Sequence, residues 1–399
     1  MDIGVNPAAR SRALMADLAA LDTARVMVGV QQSIDHIAIR WDDDLVSGFR
    51  ALWLRDNCPC SRCRHPRALE RTFMFIDHPP ARIRAAAIDS QQLLTVEFTE
   101  GGELHVSQFT SGWLRAHDRS EIRAHEARWR PRLWGADMAA QVTTLAYEDY
   151  MGTDSGVRGW IEAVKLDGIA LLRGVPQVSG QLLKVARRIG PVRASNFGDY
   201  YDVVSMPAPN ASAYTAMALE LHTDLANWRV PPDIQLLSCL KNSVSGGESV
   251  FADGFKVAAD LRELDPKAYD LLSTQPIEYR FHDETSDIRA VAPVLEVDAQ
   301  GRLMRIRFNN WLRGAMNVPD ALIEPMYRAL RVLWQLLREP KYRLNMRLAA
   351  GELIAYDNNR VLHGRSTFDA SSGERHLQGC YLNQEDLDST LRLLDRKTG

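Results

Sequence analysis

Three cysteines crowd into six positions of the stretch "DNCPCSRCRHP", and this crowding limits what the first third of the chain can fold into. Cys58, Cys60 and Cys63 have C-x-C-x-x-C spacing, so three thiolates on one loop can converge on one ion, and zinc takes four such ligands tetrahedrally. The candidates for the fourth ligand are His65, His78 and His105. Three free thiols on an exposed loop would be a redox liability. A set of four protein ligands has no open position, so we expect this zinc site to be structural.

Alternating apolar residues predict a small β-rich domain around these cysteines. In "SIDHIAIRW" the residues Ile37, Ile39 and Trp41 share one strand face, and "FRALWLRDN" extends the strand pattern. "LLTVEF" and "ELHVSQF" flank "TEGG", which is typical of a hairpin. The expected organisation is an N-terminal arm at 1–30, a zinc-binding β-rich domain at 31–125, a linker at 126–144 and a larger domain at 145–399.

The larger domain mixes helices and strands. Helical spacing in "VRGWIEAVKLDG" and "SGQLLKVARRIG" ends in glycine, as C-caps do, and "GIALLRGV" between them has the pattern of a buried strand. Further helices are predicted at Gly254–Leu264, Pro266–Ser273 and Ala321–Glu339. Strand patterns follow in "PDIQLLSCL", "ESVFA", "IEYRF", "APVLEVD", "LMRIRFN", "RLAAGELIAYDN" and "LQGCYLN". The fold class is therefore α+β, built around a β-sandwich or barrel.

Charge and cysteine usage exclude several classes of function. The chain has 399 residues and a net charge of -3, which argues against a nucleic-acid partner. No apolar run approaches the roughly 20 residues of a membrane span, and the N-terminus lacks the pattern of a secretory signal. Five cysteines, three of them clustered, make a poor disulfide framework. We expect a cytoplasmic protein with reduced thiols and no membrane partner.

A second candidate site begins in "ELHTDLANWRVPP", where His222 and Asp224 stand two residues apart. In a strand, such residues point to the same face. Downstream, "GELIAYDNNRVLHGRSTF" contains His363, and "ERHLQGCYL" contains Arg375. Two imidazoles and one carboxylate on one face of an iron ion leave adjacent positions for a 2-oxo acid and dioxygen. The bidentate guanidinium of Arg375 suits the far carboxylate of 2-oxoglutarate.

These motifs, taken together, resemble the γ-butyrobetaine/trimethyllysine dioxygenase family of iron(II)- and 2-oxoglutarate-dependent oxygenases. "WLRDNCPCSRC" is similar to the family's N-terminal zinc module. "LHTD", "PPDIQLLSCLKNSVSGGES", "RIRFNN", "YDNNRVLHGR" and "RHLQGCY" resemble successive segments of its catalytic domain, in order and at similar spacing. The resemblance covers the chain from about residue 33 onward. It implies a double-stranded β-helix (jelly-roll) catalytic domain with flanking helices.

The resemblance also implies roles for single residues. The iron ligands would be His222, Asp224 and His363, and the zinc ligands would be Cys58, Cys60, Cys63 and His105. The 2-oxoglutarate site would comprise Arg375, Leu237 and Ser249. The family holds a quaternary ammonium in an aromatic cage, because such a cation cannot form hydrogen bonds and is attracted mainly by cation–π contact. The substrate-binding residues would be Phe197, Tyr201, Tyr214, Tyr381 and Asn310.

At the acid-binding end of the substrate pocket, the sequence departs from the family pattern. Butyrobetaine enzymes carry a Tyr directly after the H-x-D and an Asn three residues before a cage Tyr; this chain has Leu225 and Ala211 there. Arg229 is a further local feature near this end. In 2-(trimethylammonio)ethylphosphonate the carbon β to nitrogen is bonded directly to phosphorus, whereas a methylene separates it from the carboxylate in γ-butyrobetaine. The departures narrowly favour hydroxylation of the phosphonate, with γ-butyrobetaine as the alternative.

Two other kinds of function compete with this interpretation. One is a non-catalytic, zinc-stabilised binding module, which the complete set of two His, one Asp and one Arg disfavours. The other is a hydroxylase of a sulfonate or an amino acid, which the aromatic residues disfavour. The expected partners are a small-molecule substrate and dioxygen, and the resemblance implies a homodimer.

Overall fold

The computed structural model describes residues 23–204 and 216–398 of the chain. The chain divides into two units, Met1–Arg130 with Arg396–Gly399 and Pro131–Asp395. The division follows Arg130, inside the segment 126–144 that the sequence suggested as a linker. Within the described ranges, no helix combines the length and the apolar composition needed to cross a membrane.

From residue 23 onward, where the structure describes it, the first unit contains two three-stranded antiparallel sheets. The first sheet has the order β1-β2-β3, with β1 at Met27–Gln32, β2 at His36–Trp41 and β3 at Val46–Arg50. The second has the order β4-β5-β6, with β4 at Arg82–Ile88, β5 at Leu93–Glu100 and β6 at Glu103–Thr110. In the described residues of this unit, the helices are α1 at Ala51–Asp56, α2 at Ser111–Ala116 and α3 at Arg119–Arg128, and a 3-10 turn lies at Phe75–Asp77.

Both sheets of the first unit contribute to one apolar core. Ile37 and Ile39 of β2 are fully buried there together with Phe98 of β5, as the alternation in the sequence predicts. The predicted hairpin of β5 and β6 is also confirmed. One expectation is wrong: "FRALWLRDN" is a strand only as far as Arg50 and then forms α1. β1 begins at Met27, within the segment 1–30 expected as an arm, and the domain boundaries stay a prediction.

The second unit contains sixteen strands and seven helices in the part of the chain that the structure describes. The strands are β7 (Thr144–Ala146), β8 (Ile169–Arg173), β9 (Tyr201–Val204), β10 (Leu219–His222), β11 (Ile234–Asn242), β12 (Ser245–Gly246), β13 (Ser249–Asp253), β14 (Ile277–His282), β15 (Asp287–Ala292), β16 (Leu295–Val297), β17 (Leu303–Ile306), β18 (Leu344–Met346), β19 (Glu352–Asp357), β20 (Val361–Arg365), β21 (Phe368–Asp369) and β22 (Arg375–Leu382). The helices are α4 (Tyr147–Gly152), α5 (Asp154–Asp167), α6 (Gln181–Arg187), α7 (Gly254–Leu264), α8 (Pro266–Thr274), α9 (Asp320–Arg338) and α10 (Gln384–Thr398). Two 3-10 turns lie at Ala136–Ala140 and Pro340–Tyr342.

Two sheets organise this unit. One has six strands in the order β7-β8-β19-β11-β22-β9, and the other has four in the order β10-β20-β13-β18. Apolar side chains of both sheets meet in one buried cluster that includes Phe251, Ile354 and Leu377. A second cluster packs α7, α8 and α9 against the four-stranded sheet. The arrangement confirms the expected α+β class with a double-stranded β-helix and flanking helices.

Capping residues fix several helix ends where the sequence predicts them. Helix α5 ends at Gly168, whose φ of +74° is a left-handed conformation that glycine adopts without strain. Helix α8 begins after Asp265, whose carboxylate accepts from the backbone N–H of Ala268. Asp253 caps α7 in the same way through the backbone N–H groups of Phe255 and Lys256.

Asp253 also forms the most deeply buried ion pair of the second unit among those described. Its carboxylate accepts from Nε and Nη2 of Arg360 at 3.1 and 2.8 Å, and the two side chains are 0% and 1% exposed. Arg360 donates further to the carbonyl of Leu166, at 2.8 Å, and the backbone N–H of Trp134 donates to Asp253. This pair therefore ties the start of α7 to the turn before β20 and to the end of α5.

We expect Asp253→Ala to destabilise the second unit by about 3–5 kcal/mol, because it leaves the buried guanidinium of Arg360 without a counter-charge. Asp265→Ala is the matched control, since it removes an N-cap aspartate that has no buried arginine and should cost about 1 kcal/mol. Chemical denaturation followed by tryptophan fluorescence measures both. Equal losses for the two variants would contradict the importance of the ion pair.

Candidate active site and metal centres

Two histidines and one aspartate converge between β10 and β20. His222 ends β10 and pairs in register with His363 of β20. The Nε2 atoms of His222 and His363 lie 3.4 and 3.6 Å from Oδ1 of Asp224. His222 and Asp224 do not share one strand as expected, because β10 ends at His222 and Asp224 belongs to the following turn. A turn in the backbone, and not strand alternation, brings the carboxylate to the imidazoles.

That turn has an unusual backbone, which Asn358 secures. Leu225 follows Asp224 with a φ of +53°, a left-handed conformation that side chains other than glycine rarely adopt. The backbone N–H of Asp224 donates to Oδ1 of Asn358 at 2.7 Å, and Nδ2 of Asn358 donates to the carbonyls of Asp224 and Pro232 at 3.1 and 3.0 Å. One buried amide thus satisfies both backbone polar groups of Asp224.

Two further buried side chains hold the rest of the turn. Asn309 donates to the carbonyl of Thr223 at 3.1 Å. Nη1 of Arg307 donates to the carbonyls of Ala226 and Trp228, both at 2.7 Å. These contacts provide partners for buried carbonyls that no strand or helix satisfies. No sequence pattern indicates that Asn309, Arg307 and Asn358 support this turn, since each contact joins residues more than 75 positions apart.

The protonation states of this group suit a metal cation. Nδ1 of His222 lies 2.8 Å from the carbonyl of Glu220, and a carbonyl can only accept, so Nδ1 carries the proton and Nε2 is free to ligate. Burial, with the nearby His222, lowers the pKa of His363 to about 3. Burial alone would raise the pKa of Asp224, but the facing histidines and a tyrosine hydroxyl hold it well below its usual range. Two imidazoles and a carboxylate at one point fit iron(II) with open positions.

Arg375 provides an unneutralised charge on the face of the six-stranded sheet that also carries Tyr381. It is the first residue of β22, and alternation puts it on the same face as Gly379 and Tyr381. Its Nε is buried and makes no hydrogen bond within the described part of the chain. Burial lowers the pKa of Arg375 to about 10, so the guanidinium stays charged at neutral pH. It lines a cavity of about 330 Å³ together with Lys241 and Phe368, which suits a carboxylate ligand.

Leu237 and Ser249 both lie on inner faces of the two sheets. Leu237 of β11 pairs in register with Ile354 and Gly379. Ser249 of β13 is buried and alternation puts it on the same face as Phe251, which packs in the core between the sheets. These positions are compatible with the roles that the resemblance implies, which stay predictions.

Three of the expected aromatic residues form a continuous wall. The ring centroids of Phe197 and Tyr201 are 6.3 Å apart, and those of Tyr201 and Tyr381 are 5.5 Å apart. Phe281 of β14 adds a fourth ring, 5.6 Å from Phe197. Phe281 is not among the substrate residues expected from the sequence, although the alternation of Ile277, Tyr279 and Phe281 in "IEYRF" puts these three on one strand face.

The other expected substrate residues have different positions. Tyr214 and Ala211 lie outside the described residues. Asn310 is exposed, and its side-chain oxygen accepts from Arg313 at 3.3 Å. Arg229 is exposed as well, whereas Leu225 is buried beside Asp224. Of the described residues on which the choice of acid depended, only Leu225 is buried, and it directly follows the metal-binding Asp224.

The aromatic wall touches the metal-binding group through Tyr381. Its hydroxyl donates to Oδ2 of Asp224 at 2.8 Å. Tyr201 accepts from Nε2 of Gln235 at 2.6 Å, and its ring lies across Gly379, where a Cβ atom would come within 2.4 Å of Cζ of Tyr201. The absence of a side chain at Gly379 therefore permits this placement of the ring.

The first unit brings its three clustered cysteines to His105. Nε2 of His105 on β6 lies 3.2, 3.8 and 3.7 Å from Sγ of Cys58, Cys60 and Cys63. Ligand atoms of a tetrahedral zinc with bonds of about 2.0–2.3 Å stand roughly 3.4–3.8 Å apart. Neither His65 nor His78, the other candidates, belongs to the group. The donor set and its spacing fit a structural zinc.

A buried cation accompanies these thiols. Nη1 of Arg55 donates to Sγ of Cys63 at 3.2 Å, and Nε lies 2.7 Å from a carboxylate oxygen of Glu100. The guanidinium also stacks 3.7 Å above the ring of Phe73. Three thiolates, one neutral imidazole and Zn²⁺ would carry a net charge of about -1. Arg55 therefore offsets charge that burial would otherwise make unfavourable.

Comparisons with known proteins agree with the two metal-binding groups. Residues 129–381 match the family described as Taurine catabolism dioxygenase TauD, TfdA family, and residues 28–115 match Gamma-butyrobetaine hydroxylase-like, N-terminal. The chain is 38% identical over 369 residues to gamma-butyrobetaine dioxygenase of Pseudomonas sp. (strain AK-1), covering 90% of this chain and 94% of that protein. It is 30% identical over 377 residues to the Homo sapiens gamma-butyrobetaine dioxygenase, covering 90% and 94%.

Two more distant similarities complete the comparison. The mitochondrial trimethyllysine dioxygenase of Bos taurus is 30% identical over 377 residues, covering 91% of this chain and 86% of that protein. Among solved structures, PvcB, an Fe, alpha-ketoglutarate dependent oxygenase from an isonitrile synthetic pathway, has 20% identity and a TM-score of 0.45, covering 61% of this chain and 83% of that one. The family assignment rests on the sequence matches.

We expect purified protein to hold one zinc ion per chain, and Cys60→Ser to lose it and to lower the unfolding temperature of the first unit. Structural zinc binding is coupled to folding, so losing a ligand removes folding free energy. Elemental analysis and calorimetry measure the two effects. Cys239→Ser is the matched control, because it removes a buried thiol outside the cluster and should leave the zinc content unchanged. A zinc-free wild type of equal heat stability would refute the prediction.

Proposed function

Because the chain belongs to the TauD/TfdA dioxygenase family and carries a γ-butyrobetaine hydroxylase-like N-terminal domain, we propose that it hydroxylates a small trimethylammonium zwitterion at the carbon β to nitrogen. Family membership makes the protein an iron(II)- and 2-oxoglutarate-dependent dioxygenase. The observation that carries the substrate proposal is the aromatic wall, which meets the metal-binding aspartate through Tyr381.

His222, Asp224 and His363 are the proposed iron ligands. His222 and His363 would bind through Nε2 and Asp224 through Oδ1, the three atoms that the structure brings together. Bound iron(II), with 2-oxoglutarate and dioxygen as co-substrates, supplies the oxidant for hydroxylating an unactivated C–H bond. The supports of the turn at Asn358, Asn309 and Arg307 keep the carboxylate directed at that point.

Arg375 is the proposed partner of the distal carboxylate of 2-oxoglutarate. The half-buried guanidinium of Arg375 offers a bidentate hydrogen-bonding edge to this cavity, and the carboxylate of Glu374, which also lines it, is paired with Lys241. Leu237 would pack against the methylene groups of the co-substrate, and the hydroxyl of Ser249 would donate to the same carboxylate. The inner-face positions of Leu237 and Ser249 support both roles.

The aromatic wall is the proposed site of the trimethylammonium group. Phe197, Tyr201 and Tyr381 present ring faces and edges at centroid distances of 5.5–6.3 Å, and Phe281 extends the wall. A quaternary ammonium gains cation–π attraction at such a surface, and the attraction strengthens when water is excluded. Since Tyr381 also touches Asp224, a cation at this wall would hold its neighbouring carbon atoms close to the iron site.

The narrower proposal is that the acid is a phosphonate, 2-(trimethylammonio)ethylphosphonate. Its support is Leu225, which is buried next to Asp224 and has no hydroxyl where butyrobetaine enzymes carry a Tyr. Asn310 and Arg229 are exposed and add no support. γ-Butyrobetaine is the second candidate, because the relatives from Pseudomonas sp. and Homo sapiens are named for it. The homodimer and the cytoplasmic location stay predictions from the sequence.

We expect Arg375→Met to raise the KM for 2-oxoglutarate by roughly thirtyfold or more, since truncating a buried charge pair costs about 2 kcal/mol or more. Lys241→Met is the matched control. It removes a cation from the same cavity, but Lys241 is exposed and already paired with Glu374 at 2.5 Å, and exposed pairs contribute little. Succinate release measures both variants. An unchanged KM in Arg375→Met would assign the co-substrate carboxylate elsewhere.

The choice of acid is tested by comparing kcat/KM for 2-(trimethylammonio)ethylphosphonate and γ-butyrobetaine at equal, saturating 2-oxoglutarate. We expect the phosphonate to be preferred; a preference for γ-butyrobetaine would overturn the narrower proposal alone. A neutral tert-butyl analogue of the better substrate keeps its shape but loses the charge, and should react at least tenfold more slowly because cation–π attraction is lost. Equal rates for the charged and neutral compounds would overturn the trimethylammonium assignment.

A further inference from the structure

We propose that the hydroxyl of Tyr381 is a positioning group for the metal-binding carboxylate of Asp224, separate from any contact its ring makes with substrate. This inference rests on the proposed function, because it takes Asp224 as an iron ligand. It assigns to Tyr381 a task that the aromatic ring alone would not perform.

The two oxygens of Asp224 face different partners. Oδ1 lies 3.4 and 3.6 Å from the Nε2 atoms of His222 and His363, whereas Oδ2 accepts from the hydroxyl of Tyr381 at 2.8 Å. A carboxylate on a single bond can rotate, and rotation would exchange the two oxygens or turn both away from the histidines. The hydrogen bond to Oδ2 fixes that rotation and leaves Oδ1 as the oxygen presented beside the imidazoles.

The direction of this hydrogen bond is set by chemistry. An ionised carboxylate can only accept, so the hydroxyl of Tyr381 must donate to it. Such hydrogen bonds to an ionised group are stronger than those between neutral groups. The hydroxyl of Tyr381 therefore donates its proton to Asp224. The residue is only 3% exposed, so packing around the ring limits its movement.

Neighbouring residues on the sheet hold the ring of Tyr381 in place. Gln235 pairs in register with Tyr381 and donates through Nε2 to the hydroxyl of Tyr201 at 2.6 Å. The ring of Tyr201 lies 5.5 Å from that of Tyr381 and occupies the space over Gly379. The position of Tyr381 therefore depends on β11, β22 and β9 together. Through its hydrogen bond to Asp224, Tyr381 links these strands to the metal-binding turn.

The same sheet offers a matched control in Tyr356. It pairs in register with Gln235 from the other side, is fully buried, and its ring lies 4.9 Å from that of His363. Its hydroxyl, however, has no hydrogen-bond partner among the residues that the structure describes. Tyr356→Phe therefore makes the same chemical change as Tyr381→Phe, beside the same metal-binding group, without removing a hydrogen bond.

The test is an anaerobic titration of the zinc-loaded protein with cobalt(II), followed by its visible absorption. We expect Tyr381→Phe to weaken cobalt affinity by roughly tenfold to a hundredfold, the range found when a residue that supports a metal ligand is replaced. Tyr356→Phe should match the wild type, and Asp224→Ala should bind no cobalt at this site. With the better trimethylammonium substrate, Tyr381→Phe should lower kcat while its KM changes little, since the ring is retained.

The outcomes separate this inference from the proposed function. If Asp224→Ala loses cobalt and Tyr381→Phe binds it as the wild type does, the positioning role is overturned and the ligand assignment stands. If Asp224→Ala also binds as the wild type does, the ligand assignment itself is wrong. Should Tyr381→Phe fail to fold, 3,5-difluorotyrosine at position 381 keeps the ring and strengthens the donor. It should then shift the cobalt absorption, and an unchanged spectrum would overturn the role.

Discussion

The active-site end of the second unit depends on one constraint: a buried turn of irregular backbone must find partners for its polar groups inside the protein. The turn after β10 carries Asp224 and includes a left-handed Leu225. Neither a strand nor a helix satisfies its backbone groups, and a buried group left unpaired costs about 1–3 kcal/mol. Asn358 binds both polar groups of Asp224, and it lies on the turn that leads into β20 and His363. The contact that satisfies the backbone of Asp224 therefore also fixes the position of Asp224 relative to the segment that carries His363.

The two metal-binding groups differ in the way that their tasks would require. The group in the first unit has four protein donors and a charge-balancing arginine, Arg55, against one of its sulfurs. The group in the second unit has three protein donors, and its aspartate contacts the aromatic wall through Tyr381. A closed set stabilises a fold, whereas an open set can admit ligands. One chain thus uses metal coordination in both senses, within separate units.

Local pattern predicted much of the fold, because strand alternation and helix caps act at short range, whereas the roles of the site residues came from the resemblance to a known family. The alternation of Ile37 and Ile39 and the glycine cap at Gly168 were sufficient for elements that the structure confirms. The stretch "FRALWLRDN" was misassigned because a short apolar run suits a strand or a helix equally well. The supports Asn358 and Arg307 could not be assigned, since their value lies in contacts to carbonyls far away in the chain. Phe281 was missed for the opposite reason: its strand was visible, but nothing local showed which ring it would meet.

The lack of a Cβ atom at Gly379 helps to shape the aromatic wall. The ring of Tyr201 fills the volume that any larger side chain at this position would occupy, so the two positions cannot vary independently. An alanine here would push the ring off the strand, and a longer polar side chain would replace an aromatic surface with a hydrogen-bonding one. In engineering terms, residues 201 and 379 form a single design unit. Most variants that replace Gly379 alone would clash with the ring of Tyr201. Replacing both residues together would change the chemical character of the aromatic wall without that clash.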